Sequence, residues 1–195
     1  MKTTRLEAFS DGVMAIIITI MVLELKVPHH PEWSALSPLL PVFLAYVLSY
    51  VNVAIYWNNH HHLLHVAERI TGGVMWANMN LLFWLSLIPF TTGWMGENHN
   101  APIPTAFYGA NLIAAAIAYT ILVRVLIRDH GPDSRLARAI GHDVKGKLSL
   151  LLYALGVAGA FVHVWISDAL YAAVAMIWLV PDRRIERVDR AHHPA

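Results

Sequence analysis

The chain has 195 residues, of which 57% are hydrophobic and only 14% charged, and its mean hydropathy is +0.50. An ordinary soluble domain carries about 25% charged residues, so the composition excludes that class and specifies an all-α integral membrane protein. There is no cysteine, which removes disulfides, thiolate catalysis and cysteine-based zinc sites. A net charge of +1 with no basic, aromatic-laced tract argues against nucleic acid.

A membrane-spanning helix needs about 20 largely apolar residues. Six such stretches follow one another, at about 8–27, 36–59, 73–94, 103–127, 148–165 and 168–180, within one domain covering 1–195. The first stops at Pro28; no small-residue cleavage site follows it, so it reads as a retained helix and not a removed signal peptide. Pro38 and Pro41 fall in the first turns of the second, where proline is tolerated. The sixth is short for a bilayer, and its link to the fifth at Ser167-Asp168 is tight enough for a helical hairpin. Residues 182–195 form a tail. With six spans both termini share a side, and every Lys and Arg except Lys26 falls on that side. The positive-inside rule makes that side cytoplasmic.

The first span begins Arg5-Leu6-Glu7-Ala8-Phe9-Ser10-Asp11-Gly12. An ionisable residue at the edge of an apolar helix is a functional candidate, because charge is expensive at membrane depth. Beyond it, Ile16, Thr19, Ile20 and Leu23 share a stripe at helical spacing, and Glu24 closes the span. The stripe is open to two readings. It packs against lipid or protein, with Thr19 bonded back to the preceding turn; or it lines a pore, with apolar rings that gate by excluding water and a hydroxyl ring that replaces part of an ion's hydration. One helix encloses nothing, so the second reading requires an oligomer. Asp11 either caps the helix start or joins a polar knot. Candidates for the knot stand at matching depth in Trp57, Asn58, Asn59 and His60 of the second span and in Trp76, Asn78 and Asn80 of the third.

The pattern Arg5-x-x-x-Phe9-Ser10-Asp11 resembles the RxxxFSD signature of the lysosomal-type potassium channel family, the transmembrane protein 175 family, in its short bacterial form. The similarity continues through Ile55-Tyr56-Trp57-Asn58-Asn59-His60-His61, Trp76-Ala77-Asn78, Ser86-Leu87-Ile88-Pro89-Phe90 and the closing Trp178-Leu179-Val180-Pro181-Asp182-Arg183-Arg184. The resemblance implies a potassium-preferring cation channel of the bacterial cytoplasmic membrane. It implies a homotetramer, since the chain holds one set of six spans, with the first helices around a central pore. Carried over by position, Ile16 is the hydrophobic constriction, extended by Ile20 and Leu23, and Thr19 is the hydroxyl that sets selectivity. Ser10, Asp11, His60 and Asn78 belong to the network that packs the first helix, with Trp57 and Phe9 beside it and Arg5 paired at the cytoplasmic rim. Charge alone suggests that Glu24 concentrates cations at the outer mouth. The implied partners are the chain itself, the bilayer, and K+ or other monovalent cations; no cofactor is implied. His62 departs from an arginine common in bacterial relatives, and Asn80 stands where apolar residues are usual.

Other chemistries are weighed against this. The chain has 12 histidines, and His61 and His65 have the i, i+4 spacing of a helical zinc pair. A divalent-metal transporter, however, needs ligands within the spans, and there His163 stands alone. Haem ligation lacks a facing histidine for the same reason. Ser10, Asp11 and His60 are triad residue types without a nucleophile turn or oxyanion hole. A weakly selective cation or proton leak is a closer alternative.

Overall fold

The computed structural model describes residues 3–67, 69–131, 134, 137 and 143–179. Helix α1, Thr3–Leu23, places Ser10, Met14, Ile17 and Met21 on a buried stripe. Gly12, Ile16, Thr19 and Leu23 form the same pattern two residues later, about 200° around the helix, and are exposed. The helix tightens to an end as Glu24 and Leu25 donate to the carbonyls three residues back, before Pro28. A 3-10 helix, Trp33–Leu39, holds Pro38 and leads into α2, Leu40–Val66, which has proline in its first turn.

The third span is two helices: α3, Gly72–Ser86, and α4, Ile88–Glu97. Pro89 supplies the break, because it has no N–H for the helical ladder and its ring crowds the preceding turn. The Thr71 hydroxyl caps α3, accepting from the Val74 amide at 3.3 Å, and donates to Asp129 Oδ2 at 2.5 Å, tying the start of α3 to the end of α5. Helix α5, Pro102–His130, starts on proline and ends at Gly131, whose φ of +93° suits glycine. Helices α6, Val144–Gly159, and α7, Val164–Leu179, complete six rods. Among the described residues four segments are long and apolar enough to cross a bilayer: Thr3–Leu23, Trp33–Val66, Gly72–Glu97 and Pro102–His130. At 16 residues each, α6 and α7 reach only about 24 Å, short of a hydrocarbon core of about 30 Å.

The turn between the last two helices is earlier than the sequence suggests. It occupies residues 160–163, so Ser167 and Asp168 lie inside α7 and His163 lies in the turn, not in a span. Gly159 drives this, its carbonyl accepting from both the Val162 and His163 amides. Buried inside α7, the Ser167 hydroxyl then donates to the Gly156 carbonyl at 2.6 Å and ties the hairpin together. The tail at 182–195 lies outside the described residues.

Two cores result. Leu6, Met14, Ile17, Met21, Leu64, Leu81 and Leu122 join α1, α2, α3 and α5. Tyr108, Leu112, Tyr153, Tyr171 and Val174 join α5, α6 and α7, with Ala45 of α2 and Met95 of α4. Gly109 and Gly156 flank the Tyr171 ring; an added Cβ at either would collide with it. Small residues of this kind let membrane helices approach closely.

Candidate functional site

The N-terminal half of α1 is held by a directional chain of hydrogen bonds. The Ser10 hydroxyl donates to the Leu6 carbonyl at 2.8 Å, which leaves its oxygen to accept from Asn78 Nδ2 at 2.9 Å. Asn78 Oδ1 therefore faces His60 Nε2 at 2.6 Å and accepts its proton. The sequence of donors fixes His60 as the Nε2–H tautomer, with Nδ1 buried and without a partner among the described residues. All three side chains are fully buried. Three helices, α1, α2 and α3, are thus pinned at one level by groups that would each be costly unpaired.

Asp11 is not part of that chain. It accepts from the Trp57 indole N–H at 2.9 Å, a separate tie between α1 and α2 one residue further along. Trp57 stacks on His61 at 5.9 Å between centroids, and His61 Nδ1 lies 2.8 Å from Glu7. Trp57 therefore contacts the motif directly and is not merely near it. Phe9, expected among the packing residues, is half exposed on the open side of α1. Arg5 is exposed and forms no ion pair among the described residues. Asn80 is exposed.

The pore-candidate residues share the open face. Ile16 is 58% exposed, Ile20 43% and Leu23 80%, whereas Met14 and Met21 are 1% exposed. Gly12 has nothing within 4 Å of the space a Cβ would fill. The Thr19 hydroxyl donates to the Ile16 carbonyl at 2.9 Å, so its proton is committed within the helix. Glu24, just past α1, lays its carboxylate over Gly93 of α4, where a Cβ would come within 3.4 Å. Nearby, Lys26 donates to Glu97 at 2.6 Å. This partner holds the ammonium charged and pushes its pKa up, first through the hydrogen bond and then through the charge. Such an exposed pair contributes little stability.

Sequence reasoning missed a second polar cluster. Thr92 donates to Ser49 at 2.7 Å, Ser49 to Tyr108 at 3.0 Å, Tyr153 to Asn52 at 3.3 Å, and Tyr171 to the Thr105 carbonyl at 3.2 Å. Its signal was hydroxyls and glycines in otherwise apolar helices, spread from residue 49 to 171. Among the described residues no three His, Asp or Glu side chains converge on a metal-sized site.

The profile of the endosomal/lysosomal potassium channel TMEM175 matches residues 5–89. A potassium channel of Chryseobacterium sp. (strain P1-3) is 54% identical, over 96% of this chain and 97% of its own. The crystal structure of a lysosomal potassium-selective channel TMEM175 homolog from Chamaesiphon minutus superposes with a TM-score of 0.79 at 30% identity, covering 93% of this chain and 97% of that one. The endosomal/lysosomal proton channel TMEM175 of Danio rerio is 28% identical over 65% of this chain and 24% of its own length.

Proposed function

The chain belongs to the TMEM175 channel family, and on that premise we propose that it is a potassium-preferring cation channel, conducting passively along the axis of a homotetramer in the bacterial cytoplasmic membrane. Both termini face the cytoplasm, and the first helices of four copies line the pore.

The observation that carries this reading is the uncovered face of α1. Within one chain the buried stripe is fully used, by Ser10, Met14, Ile17 and Met21. The opposite stripe, from Gly12 through Ile16, Thr19, Ile20 and Leu23, has no cover among the described residues. Lipid would suit the isoleucines, but the stripe carries a hydroxyl at its centre, and it belongs to the helix that the second and third spans pin in place. Four copies around an axis turn it into stacked rings. Ile16 closes the path by dewetting, Ile20 and Leu23 prolong the narrow apolar stretch, and Thr19 supplies oxygens that favour a partly dehydrated ion. Ser10, Asp11, Trp57, His60 and Asn78 set the angle of α1 and touch no ion, while Arg5 stands exposed at its cytoplasmic end. Glu24 draws cations to the outer mouth.

The test is the reversal potential of the purified protein in a planar bilayer, with potassium on one side and sodium on the other. A shift to the potassium equilibrium potential is expected. Reversal near zero overturns the selectivity. Because a family relative is named a proton channel, the same bilayer is recorded across a pH gradient at symmetrical potassium; a reversal potential that follows the protons replaces the potassium reading with a proton one.

A further inference from the structure

A cavity of about 300 Å³ lies between α2, α5, α6 and α7, and no residue of α1 lines it. That volume is within the range of small-molecule sites. It follows α5 from Ala116 to Ile127, about 16 Å at the helical rise. We propose that this cavity binds an anionic membrane lipid, with the phosphate of its headgroup at Arg124 and Lys147 and an acyl chain running inward between the helices. The proposal rests on the membrane orientation given above, and not on which ion the channel conducts.

The two ends of the cavity differ in what they lack. At the inner end Tyr153 and Asn52 are bonded to each other, and Asn52 also donates to the Leu48 carbonyl at 3.0 Å. Their polar atoms are engaged, and Ile55, Ala116, Val123 and Leu150 add apolar wall. This end calls for hydrocarbon. At the other end Arg124 and Lys147 are exposed, and neither has an ion-pair or hydrogen-bonding side-chain partner among the described residues. The Tyr56 hydroxyl, also on the lining, has no hydrogen-bond partner among them either. Among the described residues Asp143 is the one acid on the lining, and its Oδ1 accepts from the Gly146 amide at 2.7 Å as the cap of α6. Two cations against one capped carboxylate leave a net positive mouth, beside the positive end of the α6 dipole. A cation would be repelled there, so the cavity is not a second potassium path.

Position selects the source of the anion. The mouth lies at the basic end of the bundle, where the inner leaflet presents anionic headgroups, and basic pockets between membrane helices on that side bind them. Trp178 lines the same end, its indole N–H bonded to Ser149 at 2.8 Å and its ring below Lys145 at 5.7 Å, as expected of an interfacial aromatic.

The experiment is native mass spectrometry of the full-chain assembly with dioleoylphosphatidylglycerol or dioleoylphosphatidylcholine at equal concentration. Preferential retention of the glycerol lipid is expected. The double variant R124Q/K147Q should bind it about 30-fold more weakly. Ala116→Phe, which fills the apolar part and keeps both charges, should also weaken binding; Val123→Phe takes its place if that assembly is not monodisperse. Equal retention of both lipids, or wild-type binding by the glutamine variant, overturns the proposal. Wild-type binding by the filled variant puts the lipid on the surface and overturns the cavity. Displacement by millimolar inorganic phosphate assigns the mouth to free anions and overturns the lipid. None of these readings uses ion flux, so wild-type protein that holds lipid but carries no current fails the channel reading alone.

Discussion

Hydrogen-bonding side chains gather at two places in this bundle. Near the basic end, Ser10, Asn78 and His60 form a single file in which each group has one geometry and one donor direction. In the other core, Ser49, Thr92, Asn52, Tyr108, Tyr153 and Tyr171 form several short links around aromatic rings that fit against glycines. The first cluster orients one helix, α1, whose far side is uncovered. The second locks α5, α6 and α7 to one another and to α2. One cluster aims a surface; the other consolidates a scaffold. Mutations in the two should therefore separate, the first acting on assembly and, through the pose of α1, on conduction, and the second on stability without changing selectivity.

The largest effect is expected for Asn78→Leu. It leaves His60 Nε2–H and the Ser10 oxygen without partners in a fully buried position, at a cost of about 3 kcal/mol or more. Yield of intact assembly by size-exclusion chromatography checks this, and a normal yield would show that the single file is dispensable. Ile16→Asn should wet the constriction and raise leak current about tenfold, the factor that 1.4 kcal/mol of barrier represents. Planar-bilayer conductance measures it; an unchanged current takes Ile16 off the pore.

Gly109→Ala tests the scaffold. Its Cβ would collide with the Tyr171 hydroxyl, and overpacking of this kind costs about 1–3 kcal/mol. Thermal unfolding in detergent should fall, while the potassium-to-sodium permeability ratio of surviving assemblies stays at the wild-type value. A changed ratio would merge the two regions into one functional unit. Thr19→Ala should do the reverse: unfolding temperature unchanged within error, and the permeability ratio lowered. Glu24→Gln is the smallest change, reducing low-salt conductance with no effect at high salt, because screening shortens the reach of the charge to about 10 Å at 0.1 M.

The two clusters were not equally legible. Arg5 through Asp11 is a local pattern, and Trp57, His60 and Asn78 recur at one depth in the next two spans, so the first cluster could be assembled from spacing. What spacing did not supply was the order of contacts. The link of Trp57 to Asp11, separate from the Ser10 file, depends on side-chain direction around α1 and α2. The tyrosine cluster offered no local pattern, because Tyr108, Tyr153 and Tyr171 come from three helices and meet only after packing. The break at Leu87 has a signal in Pro89, which the unbroken hydropathy of 73–94 masks. The early turn at 160–163 was obscured by the apolar Phe161 and Val162, whose hydropathy extends the fifth span past its last helical hydrogen bond. The open stripe of α1 was legible from periodicity, since its buried counterpart is the same pattern displaced by two residues.

The hydroxyl of Thr19 has a consequence of its own. Its proton points back along the helix to the Ile16 carbonyl, so the side of the oxygen turned outward offers lone pairs only. A ring of such oxygens is a ring of negative dipole ends. In the proposed tetramer it would accept but not donate, and would discriminate by the sign of an ion's charge before it discriminated by size. Chloride, which needs donors, would meet the wrong end of every group.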